Sequence, residues 1–388
     1  MNVAFCYESV LPHRGGCETY IASLARRMVA DNHDVHLYAR RWDASALPAG
    51  LNLHRVAVPR LPRFLRPWVF GAACRRALAS AKHPVSVGFD KISGLDVLYP
   101  QGGLYAATAD HNLLKYRRPL VRRLVRVLKL IDPSHRSFLA LDRHQYQRQP
   151  LIVVAISEMV RRHFEQYYQL DPANLRIVRI AIDLDRFDER DRPRRRLEAR
   201  QQWGLSPEHT VALFAGMNYR LKGLEPLLRA VARLPVETPF RLLVAGSPET
   251  ATFERLARRL KIADRVRFAG YCADMRNCYF AADFFVHPTF YDPCSLVVLE
   301  ALACGLPVIT TRYNGAAEVM RPPREGYILD DPHNLDHMTG ALKQLLDPVR
   351  RSACAQAARR TAAQWTFEHH YRQMLTVFAE AAARKRAA

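Results

Sequence analysis

The sequence predicts an α/β protein of two doubly wound domains that face each other across a cleft. Three observations carry this. Short apolar strands alternate with helical periodicity throughout the chain. A series of strand, glycine turn, helix and strand opens the sequence and restarts at mid-chain. The length, 388 residues, allows two cores of ordinary size.

In the first half, residues 3–7 read as an apolar strand, followed by a loop with Pro12 and the pair Gly15-Gly16. Helical periodicity then runs over 17–30 (Tyr20, Leu24, Met28), and residues 35–38 form the next strand. Further strands are expected at 85–88, 96–99 and 151–156. In the second half, 210–216 is a strand entering a glycine turn and 223–233 is helical. Strands follow at 241–246, 266–268, 284–287 and 307–310. The Arg-rich, acid-studded residues 183–200 read as a linker, and 365–383 as a final amphipathic helix (Phe367, Tyr371, Leu375, Phe378) whose basic end, Arg384 to Arg386, is a solvated tail.

Charged residues at 24% and hydrophobic residues at 49% are those of a globular protein. The start lacks the pattern of a signal peptide and no stretch is apolar for long enough to span a bilayer, so a cytoplasmic protein is expected. Eight scattered cysteines without a C-x-x-C pair read as reduced thiols. The net charge of +21 raises nucleic acid, anionic membrane and anionic substrates as partners, although arginine outnumbers lysine everywhere, as a GC-rich genome alone would produce.

Several constellations carry chemistry. Gly15-Gly16 opens a helix where backbone can approach a phosphate, with Glu18 in the first turn. The loop from Gly216 through Asn218, Arg220 and Lys222 to Gly223 projects two cations from between a strand and a helix, as a diphosphate requires. Asp292 stands in a Tyr-Asp-Pro turn, with Pro293, and seven residues separate it from Glu300. If Ser295 begins a helix, Glu300 lies about one and a half turns inside it. The amides of Cys294, Ser295 and Leu296 would then crown the helix N-terminus. A carboxylate among apolar residues is costly unless compensated.

Asp292-x7-Glu300, with the following ALACGLPVI, resembles the E-x7-E region of retaining family 4 glycosyltransferases. Their other motifs occur in order along essentially the whole chain: Gly15-Gly16-Cys17-Glu18, Asp183-Leu184-Asp185-Arg186-Phe187, Gly216 to Gly223, Arg267 to Tyr271, Ala281-Ala282-Asp283 and His287-Pro288. The opening MNVAFCYES and the stretch VGFDKISGLDV (87–97) are similar to the group that builds lipopolysaccharide core. The resemblance implies a GT-B fold with Rossmann-like domains: an acceptor-binding domain over 1–175, a nucleotide-sugar domain over 176–365, and a last segment, 366–388, returning to the first. It implies a hexose, glucose above others, moved from UDP-glucose to a cell-envelope glycolipid or polysaccharide. Another donor (UDP-GlcNAc, UDP-galactose, a GDP-sugar) serving exopolysaccharide or small-molecule glycosylation is the alternative. By position, Glu300 would bind the ribose and Asp292 the transferred sugar. Arg220, Lys222 and Arg186 would face the diphosphate, with Gly15, Gly16, Gly216, Asn218, Pro293, Cys294, Ser295 and Leu296 completing the donor site. Asp292, Lys222 and Arg220 are the catalytic candidates. Departures from the family pattern are Asp at 292 where Glu is usual, Leu221 beside Lys222, and Ile180-Ala181 at the hinge. An acid of the core-building group is replaced around Gln101-Gly102-Gly103, which with Glu18 are the acceptor-side candidates.

No metal is expected, since Asp183-Leu184-Asp185 spells D-x-D only within a charged run. Over residues 120–131, Leu120, Val121, Leu124, Val125, Val127, Leu128 and Ile131 share one helical face and Arg122, Arg123, Arg126 and Lys129 the other. Such a helix suits an anionic inner membrane surface, giving a peripheral protein; the other expectation is apolar residues packed on the domain and arginines in water. Neither aromatic interleaving with the cations nor a binding module supports nucleic acid. An NAD(P) enzyme would need G-x-G-x-x-G and an acid after the second strand, where Tyr38-Ala39-Arg40-Arg41 stands instead.

Overall fold

The computed structural model describes residues 1–12, 15–147 and 152–387. The chain divides into two compact units, Met1–Arg179 with Glu368–Ala388, and Ile180–Phe367.

The first unit is built on a parallel sheet of seven strands in the order Asn52–Arg55, Asp34–Ala39, Asn2–Cys6, Val85–Gly88, Val97–Leu98, Ile152–Ala155, Leu175–Ile177. Val3 pairs with Val35 on one side and Val85 on the other. Asn2–Cys6 and Val85–Gly88 are apolar on both faces because helices cover both sides. The strand order reverses between these two, so the chain leaving them, Tyr7-Glu8 and Phe89-Asp90, meets at a switch point. Leu151, at the start of the expected strand 151–156, lies outside the described residues; Ile152–Ala155 is the strand. Helix Phe367–Ala387 buries Tyr371, Met374, Val377 and Phe378 in this unit. His370 fixes it, accepting from the Tyr20 hydroxyl at 2.6 Å, while its Nδ1 donates to the Arg179 carbonyl. The basic end is not a solvated tail. Lys385 Nζ lies 2.8 Å from Asp96, and Arg384 binds Asn174.

The second unit has six parallel strands in the order Val266–Gly270, Phe240–Gly246, Thr210–Gly216, Phe284–His287, Val308–Thr311, Gly326–Leu329. Its reversal falls between Thr210–Gly216 and Phe284–His287, so Gly216 and His287 emerge side by side. Helix Leu224–Val231 buries Leu224, Leu227, Leu228 and Val231 against Phe214, Phe240 and Phe284; each such aliphatic contributes roughly 1.5–3 kcal/mol.

Residues 183–200 are no linker. Arg192–Gln202 is a helix. Arg196 donates to the carbonyls of Phe280, Ala281 and Ala282, ending helix Met275–Ala281, and together with the buried Arg200 it pairs with Asp283. Guanidinium groups here close a helix C-terminus, where cations are favoured. Asp183 caps the turn Leu184–Phe187 through the Asp185 amide, so the D-x-D run is a local turn.

Helix Pro119–Ile131 has no buried residue. Leu120 is 81% exposed, Ile131 73% and Leu124 60%, so the apolar face is not packed on the domain. Two of the cations expected on the opposite, solvent face turn inward instead: Arg122 donates to the Tyr116 carbonyl and Lys129 to that of Ala109. Among the described residues no helix is long and apolar enough to cross a membrane.

Candidate active site

The candidate donor residues Gly216 to Glu300, with Arg186, all lie in the second unit; Gly15 and Gly16 belong to the first. The loop after strand Thr210–Gly216 is closed by the amides of Lys222, Gly223 and Leu224 donating to the carbonyls of Asn218, Arg220 and Tyr219. Asn218 accepts the Leu221 amide through its side chain, so it shapes the loop. Gly223 has φ +82 and abuts Pro288, whose carbonyl oxygen would stand 2.0 Å from an added Cβ. Only glycine fits there. At Gly216 an added Cβ would come within 3.0 Å of the Lys222 side chain, which crosses over it.

Lys222 Nζ lies 2.6 Å from the Asp292 carboxylate and 3.3 Å from the Tyr291 carbonyl. The Leu221 carbonyl accepts from the amide of Phe290 and the hydroxyl of Thr289, locking the loop from Gly216 to Gly223 to the turn at Asp292. His287, buried at the end of its strand, places Nε2 3.5 Å from Asp292. Burial alone would raise the Asp292 pKa, but the Lys222 charge and His287 hold it well below the usual carboxylate range. Burial, opposed by Asp292 and aided by Lys222, lowers that of His287. Asp292 is therefore held as an anion against the Lys222 side chain.

Ser295 precedes helix Leu296–Ala303 and gives it no side-chain cap. Its amide, expected to be offered to a ligand, donates instead to the buried Asn314 Oδ1 at 3.2 Å. Asn314 also holds the turn, through the Asp292–Asn314 bridge. Glu300 sits in this helix, half-buried, and accepts from the Tyr279 hydroxyl at 2.7 Å. Burial raises its pKa, against the opposing effects of Tyr279 and of the Arg186 charge. Tyr279 thus compensates the carboxylate in its apolar helix and brings the separate D-x-x-R-F turn into the same neighbourhood. A carboxylate has about four acceptor positions, so one phenol leaves capacity for further donors.

Arg220 stands apart from Lys222. It is exposed and lines a cavity of about 760 Å³ with Ser247 and Phe253. Tyr279, His287 and Asn314 are the contributors that sequence reasoning missed. Only His287 had a signal, as part of an ordered motif.

In the first unit Glu18 lines a separate cavity, whereas Gln101-Gly102-Gly103 forms a turn beside Asp90, with the Gln101 amide nitrogen buried and unpartnered. Among the described residues, no group of three or more His, Cys, Asp or Glu side chains is placed to hold a metal.

Residues 14–186 match the model of the Glycosyltransferase Family 4, and 195–361 that of the Glycosyl transferases group 1. Together these span most of both units. The chain belongs to these glycosyltransferases. The lipopolysaccharide glucosyltransferase WaaG of Escherichia coli K12 is 27% identical over 366 residues, 92% of this chain and 93% of that protein. The crystal structure of WaaG, a glycosyltransferase involved in lipopolysaccharide biosynthesis, matches with a TM-score of 0.82 at 25% identity over 97% of this chain and 99% of that one. This glycosyltransferase therefore has the GT-B fold and is a hexosyltransferase. A D-inositol 3-phosphate glycosyltransferase of Catenulispora acidiphila is 38% identical, over 51% of this chain and 47% of that protein. Anabaena Alr3699/HepE in complex with UDP-glucose shares the fold at 15% identity, with a TM-score of 0.71 over 100% of both chains.

Proposed function

We propose that this glycosyltransferase transfers glucose from UDP-glucose, with retention, to a lipopolysaccharide-core type acceptor at an anionic membrane surface. The observation that carries the donor half is the pairing of Lys222 with Asp292 at 2.6 Å, on the loops that follow the adjacent parallel strands Thr210–Gly216 and Phe284–His287, with Glu300 in the next helix held by the Tyr279 hydroxyl. Glu300 takes the ribose hydroxyls and Asp292 the sugar. Lys222, with Arg186, faces the diphosphate, where negative charge develops as UDP departs. The amides of Cys294 and Leu296 supply further donors. Arg220, which lines the cavity with Ser247 and Phe253, is a weaker candidate for the phosphate than Lys222. No protein nucleophile is assigned; the departing diphosphate accepts the acceptor's proton. The similarity to WaaG, a lipopolysaccharide glucosyltransferase, supports glucose and lipopolysaccharide as the pair.

The membrane half rests on the exposed Leu120, Leu124, Val127, Leu128 and Ile131, flanked by exposed Arg117, Arg118, Arg123 and Arg126. An apolar stripe bordered by cations matches an anionic leaflet, each cation contributing about 1 kcal/mol near the surface.

Thermal-shift titration with a panel of nucleotide sugars tests the donor. UDP-glucose at a hundredfold excess over Kd should stabilise by about 2.7 kcal/mol. Glu300→Ala should abolish the UDP response, and Asp292→Ala should keep UDP but lose discrimination among sugars. Silence toward every nucleotide sugar would refute the reading.

A further inference from the structure

The first unit holds a cavity of about 560 Å³ at the carboxyl ends of its central strands, where the sheet order reverses. Its charge is lopsided. Six cations line it, Arg40, Arg41, Arg60, Arg63, Arg66 and Lys91, against three acids, Glu8, Glu18 and Asp90.

The acids are already engaged within the fold. Glu8 lies 3.3 Å from Arg40 and 2.7 Å from Arg66. Asp90 pairs with Lys91 at 3.1 Å. Both arginines of the Glu8 cluster keep a buried Nε without a hydrogen bond of normal geometry. Among the described residues, no carboxylate pairs with Arg41, Arg60 or Arg63. Arg63 also faces Lys91 closely enough for its charge to oppose that of Lys91. Like charges gathered in a concave, partly desolvated site are unfavourable until an anion joins them.

The positions of these cations are set by structure. The short ladder pairing Ser9 with Arg41 and Val10 with Trp42 holds Glu8, Arg40 and Arg41 on the floor. Arg60 and Arg63 project from the proline-containing segment that leads into helix Arg66–Ala81. Phe70, Tyr105 and Phe138 add ring surfaces to the same wall, with Lys91 Nζ 5.7 Å from the Phe138 centroid. Aromatic faces beside guanidinium forks suit a sugar ring that carries an anionic group.

We infer that this cavity binds an acceptor saccharide carrying a phosphate or carboxylate substituent, and that Arg41, Arg60 and Arg63 read that charge. This rests on the proposed reading of the first unit as the acceptor side. It adds the chemical class of the acceptor, and it assigns part of the +21 charge to a single site rather than to composition.

The test measures binding directly, by isothermal titration of the full chain without donor. The probe is deacylated lipopolysaccharide core oligosaccharide in three forms: intact, stripped of phosphate, and carboxyl-reduced. Intact oligosaccharide should bind at least tenfold more tightly than one of the two modified forms, and the form that loses affinity names the anion. Arg60→Glu and Arg63→Glu, at exposed loop positions, should each weaken the intact probe about tenfold, with Arg63→Lys recovering most of it. UDP-glucose affinity should stay within twofold in every variant. Equal affinity for all three forms, or none for the intact one, overturns the inference. Loss of UDP-glucose affinity in Arg60→Glu or Arg63→Glu also overturns it. A chain that binds the charged oligosaccharide but no nucleotide sugar would sink the transferase reading and leave this site standing.

Discussion

Replacing Lys222 by methionine tests the candidate donor site without any ligand. The substitution keeps most of the side-chain volume and leaves Asp292, 14% exposed, without its cation at 2.6 Å. With an effective dielectric near 20, that attraction is roughly 6 kcal/mol before desolvation is counted. Removing one partner of a buried pair costs about 3–5 kcal/mol net. Some exposure of both side chains places the expected loss at about 3 kcal/mol at pH 8. The pH dependence gives the sharper signature. In the parent chain the Asp292 pKa is depressed below its ordinary 3.8, so its stabilisation is present above that value and is lost only as pH falls through the depressed one. Between pH 8 and pH 5 it is constant. In Lys222→Met, burial dominates and the Asp292 pKa rises, while His287 is relieved of a neighbouring cation and can take up a proton. Both changes reduce the penalty as pH falls. Urea unfolding at pH 8, 6.5 and 5 should therefore show a deficit that shrinks with acid, and Asp292→Asn added to Lys222→Met should recover most of it. A loss under about 1 kcal/mol at pH 8, or an equal loss at pH 8 and pH 5, would refute the reasoning.

Tyr279→Phe removes the donor to Glu300 and raises its already elevated pKa. UDP affinity should fall about tenfold, in line with a charged hydrogen bond of roughly 1.5–3 kcal/mol, and fall further at pH 6 than at pH 8 when titrated calorimetrically. Leu124→Glu with Leu128→Glu should abolish flotation with anionic liposomes while stability stays within about 0.5 kcal/mol, as at exposed positions; recovery equal to the parent would exclude membrane docking through this helix. Asp142, which accepts from the Ala106 amide and the Tyr168 hydroxyl, has its pKa pushed up by burial to about 6 from 3.8. A raised carboxyl pKa gives stability that is full below 3.8 and lost as pH rises through 6. Asp142→Asn should therefore be more stable than the parent by about 2–3 kcal/mol at pH 8 and no more stable at pH 4, read by urea unfolding.

Most of the sheet was legible in the sequence because its strands are apolar on both faces and end in glycine or turn residues. Thr210–Gly216 and Phe284–His287 are examples. Asn52–Arg55 and Leu175–Ile177 were not, since edge strands are short and only partly buried, and their residues carry no such pattern. Residues 183–200 misled because composition cannot distinguish solvated arginines from arginines that close a helix and pair with Asp283.

By itself the sequence determined the two α/β series, the glycine turns and the placing of Lys222 and Asp292 on loops and of Glu300 inside a helix. Those properties depend on local periodicity and backbone conformation, which neighbouring residues set. Only the tertiary structure decided what compensates each charge. Tyr279 reaches Glu300, His287 and Lys222 converge on Asp292, Asn314 occupies the Ser295 amide, and Arg122 and Lys129 turn inward while leucines face solvent. Each is a contact between segments joined by strand order and packing, and electrostatic compensation acts through space over a few ångströms rather than along the chain.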